Sequence, residues 1–126
     1  MRKLSRLLLA CLVAACVNRD IVRPAETRRL AFEEIAARLA SGNFREVLGA
    51  RAQLSLLPDD AWLAALAPLA YDDSAQHRLV AAVELSRRPY GAARALLASL
   101  ALDPDETVRT EASQFLSAAA RNGGTP

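Results

Sequence analysis

The chain has 126 residues, enough for one small domain. Hydrophobic residues make up 52% of it and aromatic residues only 5%, so Ala and Leu must build the core, which favours helices over strands. The formal charge of +2 owes its sign to Arg2, Lys3 and Arg6, and the rest of the chain is mixed in sign, which excludes a basic nucleic-acid-binding face.

The first residues divide into three regions: the positive "MRKLSR", the apolar "LLLACLVA" and the small residues of "VAAC". The apolar run of about 11 residues is shorter than the roughly 20 needed to cross a bilayer, but it suits the core of a signal peptide. We therefore expect residues 1–15 to be a signal peptide that is removed. The alternative is a buried N-terminal helix, although bases followed by an unpatterned apolar block are unusual for one.

The end of this segment, "VAAC", resembles the bacterial lipobox, an aliphatic residue and two small residues before a cysteine. The resemblance implies that Cys16 carries a lipid and that the signal is cut between Ala15 and Cys16. Since Val17 is not Asp, it further implies an outer-membrane lipoprotein whose domain faces the periplasm.

The other cysteine, Cys11, ends "LLAC" and also fits the lipobox pattern. Choosing it would leave an apolar core of only residues 7–10, so Cys16 is the better acceptor and Cys11 would leave with the signal. The one remaining cysteine would be lipidated, which leaves no disulfide and no thiolate metal site.

Residues 16–23 have few core-type side chains and are expected to be a tether, followed by a helical domain over 24–121 and a disordered tail over 122–126. Pro24 suits the first turn of a helix. The next segment places Phe32, Ile35, Ala36 and Leu39 on one helix face, and "SGN" ends it. Asn43 and Glu46 then have the spacing of a capping box.

The chain resembles itself at a step of 31 residues. Among the 39 pairs that begin at positions 48–86, 16 are identical. Composition alone would give about 4. Each repeat predicts a helix after a proline, a turn at an aspartate and a second helix that carries an arginine.

The last repeat contains "LDPDETVRTEASQFLSAAA". Asp103 is expected to be the N-cap, with Pro104 in the first turn and Glu106 completing a capping box. The residues expected to form its buried stripe are Val108, Ala112, Phe115, Leu116 and Ala119.

This segment, L-x-x-D-P-D-x-x-V-R-x-x-A-x-x-x-L over residues 100–116, resembles the short bacterial HEAT-like repeat. The preceding unit keeps Asp72 and Arg78, and the first unit, over residues 41–54, has neither. The resemblance implies an all-α fold, a short right-handed α-solenoid of about six helices in HEAT-like hairpins behind the signal peptide. It also implies an Asp–Arg ladder between units, made by Asp72, Arg78, Asp103 and Arg109, for which a partner-binding row of arginines is the alternative.

Large aromatic side chains and a small basic cluster are the candidates for a partner-binding surface. They are Trp62, Tyr71, Arg87, Arg88, Tyr90 and Arg94. Packing between units is the alternative for Trp62, and a solvated loop is the alternative for the arginines.

Catalytic patterns are weak. His77, the one histidine, occupies the repeat position of core residue Val108, so we expect a partly buried structural role. Asp59 and Asp60 follow a proline and suit helix capping and the helix dipole. Without a phosphate loop, a zincin helix or a nucleophile elbow, no cofactor, metal or small-molecule substrate is predicted.

The sequence therefore predicts a non-catalytic scaffold or adapter lipoprotein of the bacterial envelope, which binds a protein or peptide through successive second helices. One alternative is a pilotin-like accessory lipoprotein that escorts or stabilises a single envelope machine. Another is an enzyme, because HEAT-like repeats also occur in phycobilin lyases.

Overall fold

In the computed structural model, residues 27–29 and 31–123 are described, and all regular secondary structure among them is helical. The expected all-α class is confirmed. The chain divides into two units, Met1–Ala31 and Phe32–Pro126. The signal peptide, Cys16 and the tether at 16–23 lie outside the described residues, as do positions 124–126.

In the first unit, residues 27–29 and 31 are helical. The second unit contains α1 at residues 32–40, α2 (Phe44–Ser55), α3 (Asp59–Ala70), α4 (Ala75–Leu85), α5 (Gly91–Leu100) and α6 (Glu106–Asn122). None of the described helices is both long and apolar enough to cross a membrane.

The turn between α1 and α2 follows the sequence signals. Gly42 has a φ of 73°, a conformation that a residue with a side chain rarely adopts, which explains why the helix ends at a glycine. Asn43 is the N-cap of α2, as predicted. Its side-chain oxygen accepts hydrogen bonds from the backbone N–H of Arg45 at 3.0 Å and of Glu46 at 3.3 Å.

The predicted cap of α6 is wrong by two residues. Asp105, not Asp103, is the N-cap, and its carboxylate accepts the N–H of Val108 at 3.0 Å. The carboxylate of Asp103 is instead turned towards Arg78, and it accepts the N–H of Asp105 at 2.9 Å. The start of α4 repeats this arrangement, with Ser74 as the cap and Asp72 accepting the N–H of Ser74 at 2.8 Å.

Helix α4 is central to the packing, since it contacts α3, α5 and α6. Helices α5 and α6 pack on each other, and α3 also contacts α2 and α5. The largest fully buried side chains are Leu66, Leu85, Leu97 and Val108. Each contributes about 2 kcal/mol or more by leaving water.

The predicted apolar stripes face this core. Ile35, Ala36 and Leu39 of α1 are buried, and Phe32 packs against them. In α6, Val108, Ala112 and Ala119 are buried, and Phe115 and Leu116 are partly buried. Alanines with no exposed surface allow helices to approach closely, which a core with few aromatic residues requires.

Candidate interaction site

The guanidinium of Arg78 is fully engaged. Its Nε and Nη2 donate to the two carboxylate oxygens of Asp103 at 2.8 and 3.0 Å. Its Nη1 donates to the carbonyls of Asp72 and Asp73, both at 2.9 Å. The bidentate bond lowers the pKa of Asp103 and raises that of Arg78. An arginine of one repeat therefore holds a carboxylate of the next.

Arg109 occupies the same position one repeat later and is held by the same kind of backbone pair. Its Nη1 donates to the carbonyl of Asp103 at 2.7 Å and to that of Pro104 at 3.4 Å. The Nε and Nη2 atoms, which hold a carboxylate in Arg78, have no acceptor among the residues that the structure describes. We call the Nε and Nη2 pair of such a guanidinium its fork. The two carbonyls therefore fix the position of the Arg109 guanidinium, and its fork is open because no carboxylate of the described residues lies in it.

Asp72 lies at the other end of the expected ladder, and no arginine side chain binds its carboxylate within residues 31–123. The nearest side-chain partner is His77, whose Nδ1 is 3.2 Å from Asp72 Oδ1 but lacks the alignment of a hydrogen bond. The pKa of Asp72 is lowered first by the Ser74 N–H and then by His77. The side chain of His77 is 37% exposed, so it is partly buried, as expected.

Three of the candidate contact residues form one cluster. The guanidinium of Arg88 lies 4.9 Å from the ring centre of Trp62, and the Trp62 and Tyr90 rings are 6.1 Å apart. Arg88 Nη1 donates to the carbonyl of Leu57, and the Tyr90 hydroxyl donates to that of Asp59, both at 2.7 Å. Each donor and acceptor are 31 residues apart, one full repeat.

This cluster is partly buried. Trp62 is only 4% exposed, so its ring belongs to the core and not to an open contact surface. Burial raises the pKa of Tyr90, with a further contribution from Asp59 and Asp60. Arg88 is bonded to backbone and is not simply a solvated side chain.

The other three candidates lie apart from the cluster. Tyr71 is 74% exposed at the end of α3. Arg87 Nε lies 3.4 Å from a carboxylate oxygen of Glu84, and Arg94 Nη2 donates to the carbonyl of Ala119 at 3.1 Å. The six residues do not make one surface.

Asp59 and Asp60 lie in the first turn of α3, where they interact favourably with the helix dipole as expected, but neither is the N-cap. Pro58 is the N-cap and makes no side-chain bond, and Asp59 and Asp60 are the first two helical residues. The Asp60 carboxylate accepts the N–H of Ala61 at 2.9 Å. Acids in the first turn favour the helix dipole.

An ion pair between α2 and α4 was missed by the sequence reasoning. Arg51 Nε donates to Glu84 at 2.6 Å, and Glu84 is only 2% exposed. The donor and acceptor are 33 residues apart, so neither the repeat step nor helical spacing pointed to this pair.

An exposed apolar strip on α2 was also missed. Phe44 is 75% exposed and Leu48 is 47% exposed, Ala52 is exposed beyond them, and the C-cap residue Leu56 is 85% exposed. We call Phe44, Leu48, Ala52 and Leu56 the α2 strip. Its four-residue spacing, offset from the buried Ala50 and Leu54, could have revealed it.

The open fork of Arg109 belongs to a polar face. We define the α6 face as the lining of a shallow groove of about 550 Å³. It consists of Arg109, Thr110, Ser113, Gln114, Ser117 and Arg121. Within the described part of the chain, no group of three or more His, Cys, Asp or Glu residues could hold a metal ion.

Comparisons of the chain with protein-family models, with curated proteins and with solved structures found no match.

Proposed function

We propose that this protein is a non-catalytic adapter, tethered to the bacterial envelope by a lipid on Cys16, that binds a protein or peptide through HEAT-like helical repeats. The proposed helix pairs are α1 with α2, α3 with α4, and α5 with α6, and the last two pairs are in contact. The pairs would form a short right-handed solenoid, with α2, α4 and α6 as the successive second helices.

The observation that carries the repeat architecture is the bonding across one repeat step. Arg88 and Tyr90 each donate to a carbonyl 31 residues earlier. Arg78 and Arg109 are each held by carbonyls six and five residues earlier. A three-dimensional contact pattern that repeats at the step of the sequence identities is what a stacked array requires.

The binding role is supported by the α2 strip. Phe44 and Leu56 leave most of their side-chain surface in water, and Leu48 about half. Grouped exposed apolar side chains of this size are typical of contact surfaces between proteins. The proposed partner is a protein or peptide of the envelope.

The tether rests on the resemblance of "VAAC" to the lipobox. A diacylglycerol thioether on Cys16 would hold the domain at the membrane, with outer-membrane sorting and a periplasmic domain as the proposed location. The Cys16→Ser variant from which the signal peptide, residues 1–15, has been removed is expected in the soluble fraction. The Cys11→Ser variant is the matched control and should fractionate with membranes like the unaltered protein.

Recovery of Cys16→Ser with membranes at the unaltered level would refute the tether. Mass spectrometry of the mature N-terminus provides a second readout, because lipid must appear on a peptide that begins at Cys16. A peptide that begins elsewhere, or carries no lipid, contradicts the proposal.

A further inference from the structure

Arg78 shows that a guanidinium held by two backbone carbonyls can bind a carboxylate in its fork. Two backbone carbonyls fix Nη1, and Nε and Nη2 then bind the Asp103 carboxylate side by side. A guanidinium held in this way has already lost much of its rotamer freedom, so a carboxylate binds with a small additional entropy cost.

Arg109 is held by the equivalent two carbonyls, but its fork binds no carboxylate of the described residues. The carbonyls of Asp103 and Pro104 hold its Nη1 as those of Asp72 and Asp73 hold the Nη1 of Arg78. No residue in the described ranges gives its Nε or Nη2 an acceptor. Glu106, exposed at the start of the same helix, forms no ion pair with it.

The surroundings of this fork suit a polar partner. Thr110, Ser113 and Gln114 stand one repeat after Leu79, Ala82 and Val83 of α4, whose apolar side chains are at least partly buried. All three polar residues are exposed. The α6 face also carries Arg121 and no acidic residue, so its charge favours an anion. A helix with an apolar face that packed on the α6 face would therefore bury little apolar surface.

A second copy of the chain is a poor source of the carboxylate. The position one repeat before Asp72, and two before Asp103, is Ser41. A copy stacked on α6 in the repeat register would therefore place a hydroxyl opposite Arg109. A copy in this register supplies no carboxylate, which favours a different protein as its source.

We propose that the open fork of Arg109, on the α6 face, binds an aspartate or glutamate side chain in an acidic segment of the protein partner. This inference rests on the proposed function as a protein-binding module and specifies the chemistry of its partner. The Arg78–Asp103 pair supplies the expected geometry, with the carboxylate bridging Nε and Nη2.

The test uses the chain's own ligand as a probe. An acetylated, amidated peptide ALDPDETV, the sequence of residues 101–108, contains the aspartate that occupies the fork of Arg78. Its matched control is the same peptide with Asp103→Asn. Both are titrated to about 5 mM into the purified full chain in detergent, while the Nε–H resonance of Arg109 is followed by NMR.

We expect the aspartate peptide to shift the Arg109 resonance with a Kd about tenfold or more below that of the asparagine peptide, because a charge-assisted bidentate bond is lost in the control. In Arg109→Gln, which lacks the Nε–H, the backbone amide resonances of Thr110 and Ser113 report binding instead, and this preference should be abolished. Arg109→Lys, which keeps the charge without the fork, should weaken it. Arg45→Gln makes the same charge change at an exposed arginine that does not line the α6 face, and it should retain the preference. The two peptides are compared on the unaltered protein, so the result does not depend on the folding of a variant.

Equal shifts by the two peptides, or no shift of the Arg109 resonance, would overturn the proposal. So would stronger competition by inorganic phosphate than by the aspartate peptide at matched ionic strength, since that identifies a general anion site. A shift of the Thr110 and Ser113 amide resonances that grows with protein concentration alone, and disappears in Arg109→Gln, would assign the fork to a second copy. None of these readouts depends on the lipid of Cys16 or on the α2 strip, so a failure of this inference can be distinguished from a failure of the proposed function.

Discussion

The carboxylate of Asp103 lies in the fork of the Arg78 guanidinium, 2.8 Å from Nε and 3.0 Å from Nη2, with only 5% of the aspartate side chain and 15% of the arginine side chain exposed. The same aspartate accepts the N–H of Asp105 through its carboxylate, and its backbone carbonyl accepts from Arg109. One residue thus connects α4, the turn before α6 and the first turns of α6.

Asp103→Asn is expected to lower the free energy of unfolding by about 2 kcal/mol, because a buried charge-assisted bond loses its charge while its partner stays in place. Urea denaturation followed by circular dichroism measures this. Asp73→Asn is the matched control, since Asp73 is exposed and its side chain has no partner among the described residues. We expect the control to change stability by less than about 0.5 kcal/mol. Equal effects of the two substitutions would contradict a special role for Asp103.

Stability should fall in acid, and the sign follows from the two lowered carboxyl pKa values. Arg78 lowers the pKa of Asp103, and the Ser74 N–H and then His77 lower that of Asp72, both from an ordinary value of 3.8. A carboxyl whose pKa is lower in the folded state contributes stability that is fully present above its unfolded value and is lost as the pH falls through the folded one.

Urea midpoints measured from about pH 6 down to about pH 2 should therefore decline mainly below about pH 4. The Asp103→Asn variant should decline less steeply over this range, since one of the two carboxyls no longer titrates. A variant curve parallel to that of the unaltered protein would show that Asp103 does not contribute to the pH dependence.

The fluorescence of Trp62, the single tryptophan, reports on the loop that precedes α5. Arg88 covers its ring at 4.9 Å, so Arg88→Ala should admit water and shift the emission to longer wavelength. Arg87→Ala makes the same charge change at a side chain that is 55% exposed and should leave the emission unchanged. A red shift of equal size in both variants would mean that the loop responds to charge and not to the Arg88 contact.

Substitutions on the α2 strip should separate binding from stability. Phe44→Ser and Leu48→Ser are expected to change the free energy of unfolding by less than about 1 kcal/mol, because Phe44 is already 75% exposed and Leu48 47% exposed. Leu54→Ala, on the buried face of the same helix at 2% exposure, should cost about 3 kcal/mol. Urea denaturation distinguishes these outcomes.

The binding half of this prediction uses a photoreactive phenylalanine analogue at Ala52, the middle of the α2 strip. Crosslinking in intact cells should join it to a protein partner, and the yield should drop severalfold in Phe44→Ser. The same analogue at Ala98, exposed on α5, is the control for random encounters. If the two positions give the same yield, or Phe44→Ser has no effect, the α2 strip is not the contact surface.

Local signals predicted much of this fold. The helix cap at Asn43, the turn at Gly42 and the apolar spacing of α1 and α6 each depend on residues a few positions apart. They can therefore be predicted from a short stretch of sequence. The cap of α6 was misplaced because Asp103 and Asp105 both stand before the helix and both can accept a backbone N–H. Only the distant Arg78 decides which of them is turned inwards.

The remaining features depend on contacts between distant parts of the chain. Glu84 looks like a surface residue in sequence, but it is only 2% exposed and accepts a hydrogen bond from Arg51 of the distant helix α2. Phe44 and Leu48 look like core residues, and they are exposed because α2 buries a different face. Arg109 repeats Arg78 in sequence, but the difference in the occupation of their forks is visible only in three dimensions.

The two bonds that Arg88 and Tyr90 make with Leu57 and Asp59 also constrain the number of residues in one repeat. Each spans one 31-residue step, and each ends on a backbone carbonyl that is present whatever the side chain. These two bonds therefore depend on the number of residues between donor and acceptor and not on the acceptor's side chain, although the Asp59 carboxylate also lies 3.3 Å from Arg88 Nη1. One inserted or deleted residue in this span would move both carbonyls out of reach together, so this module is more tolerant of substitution than of any change in length.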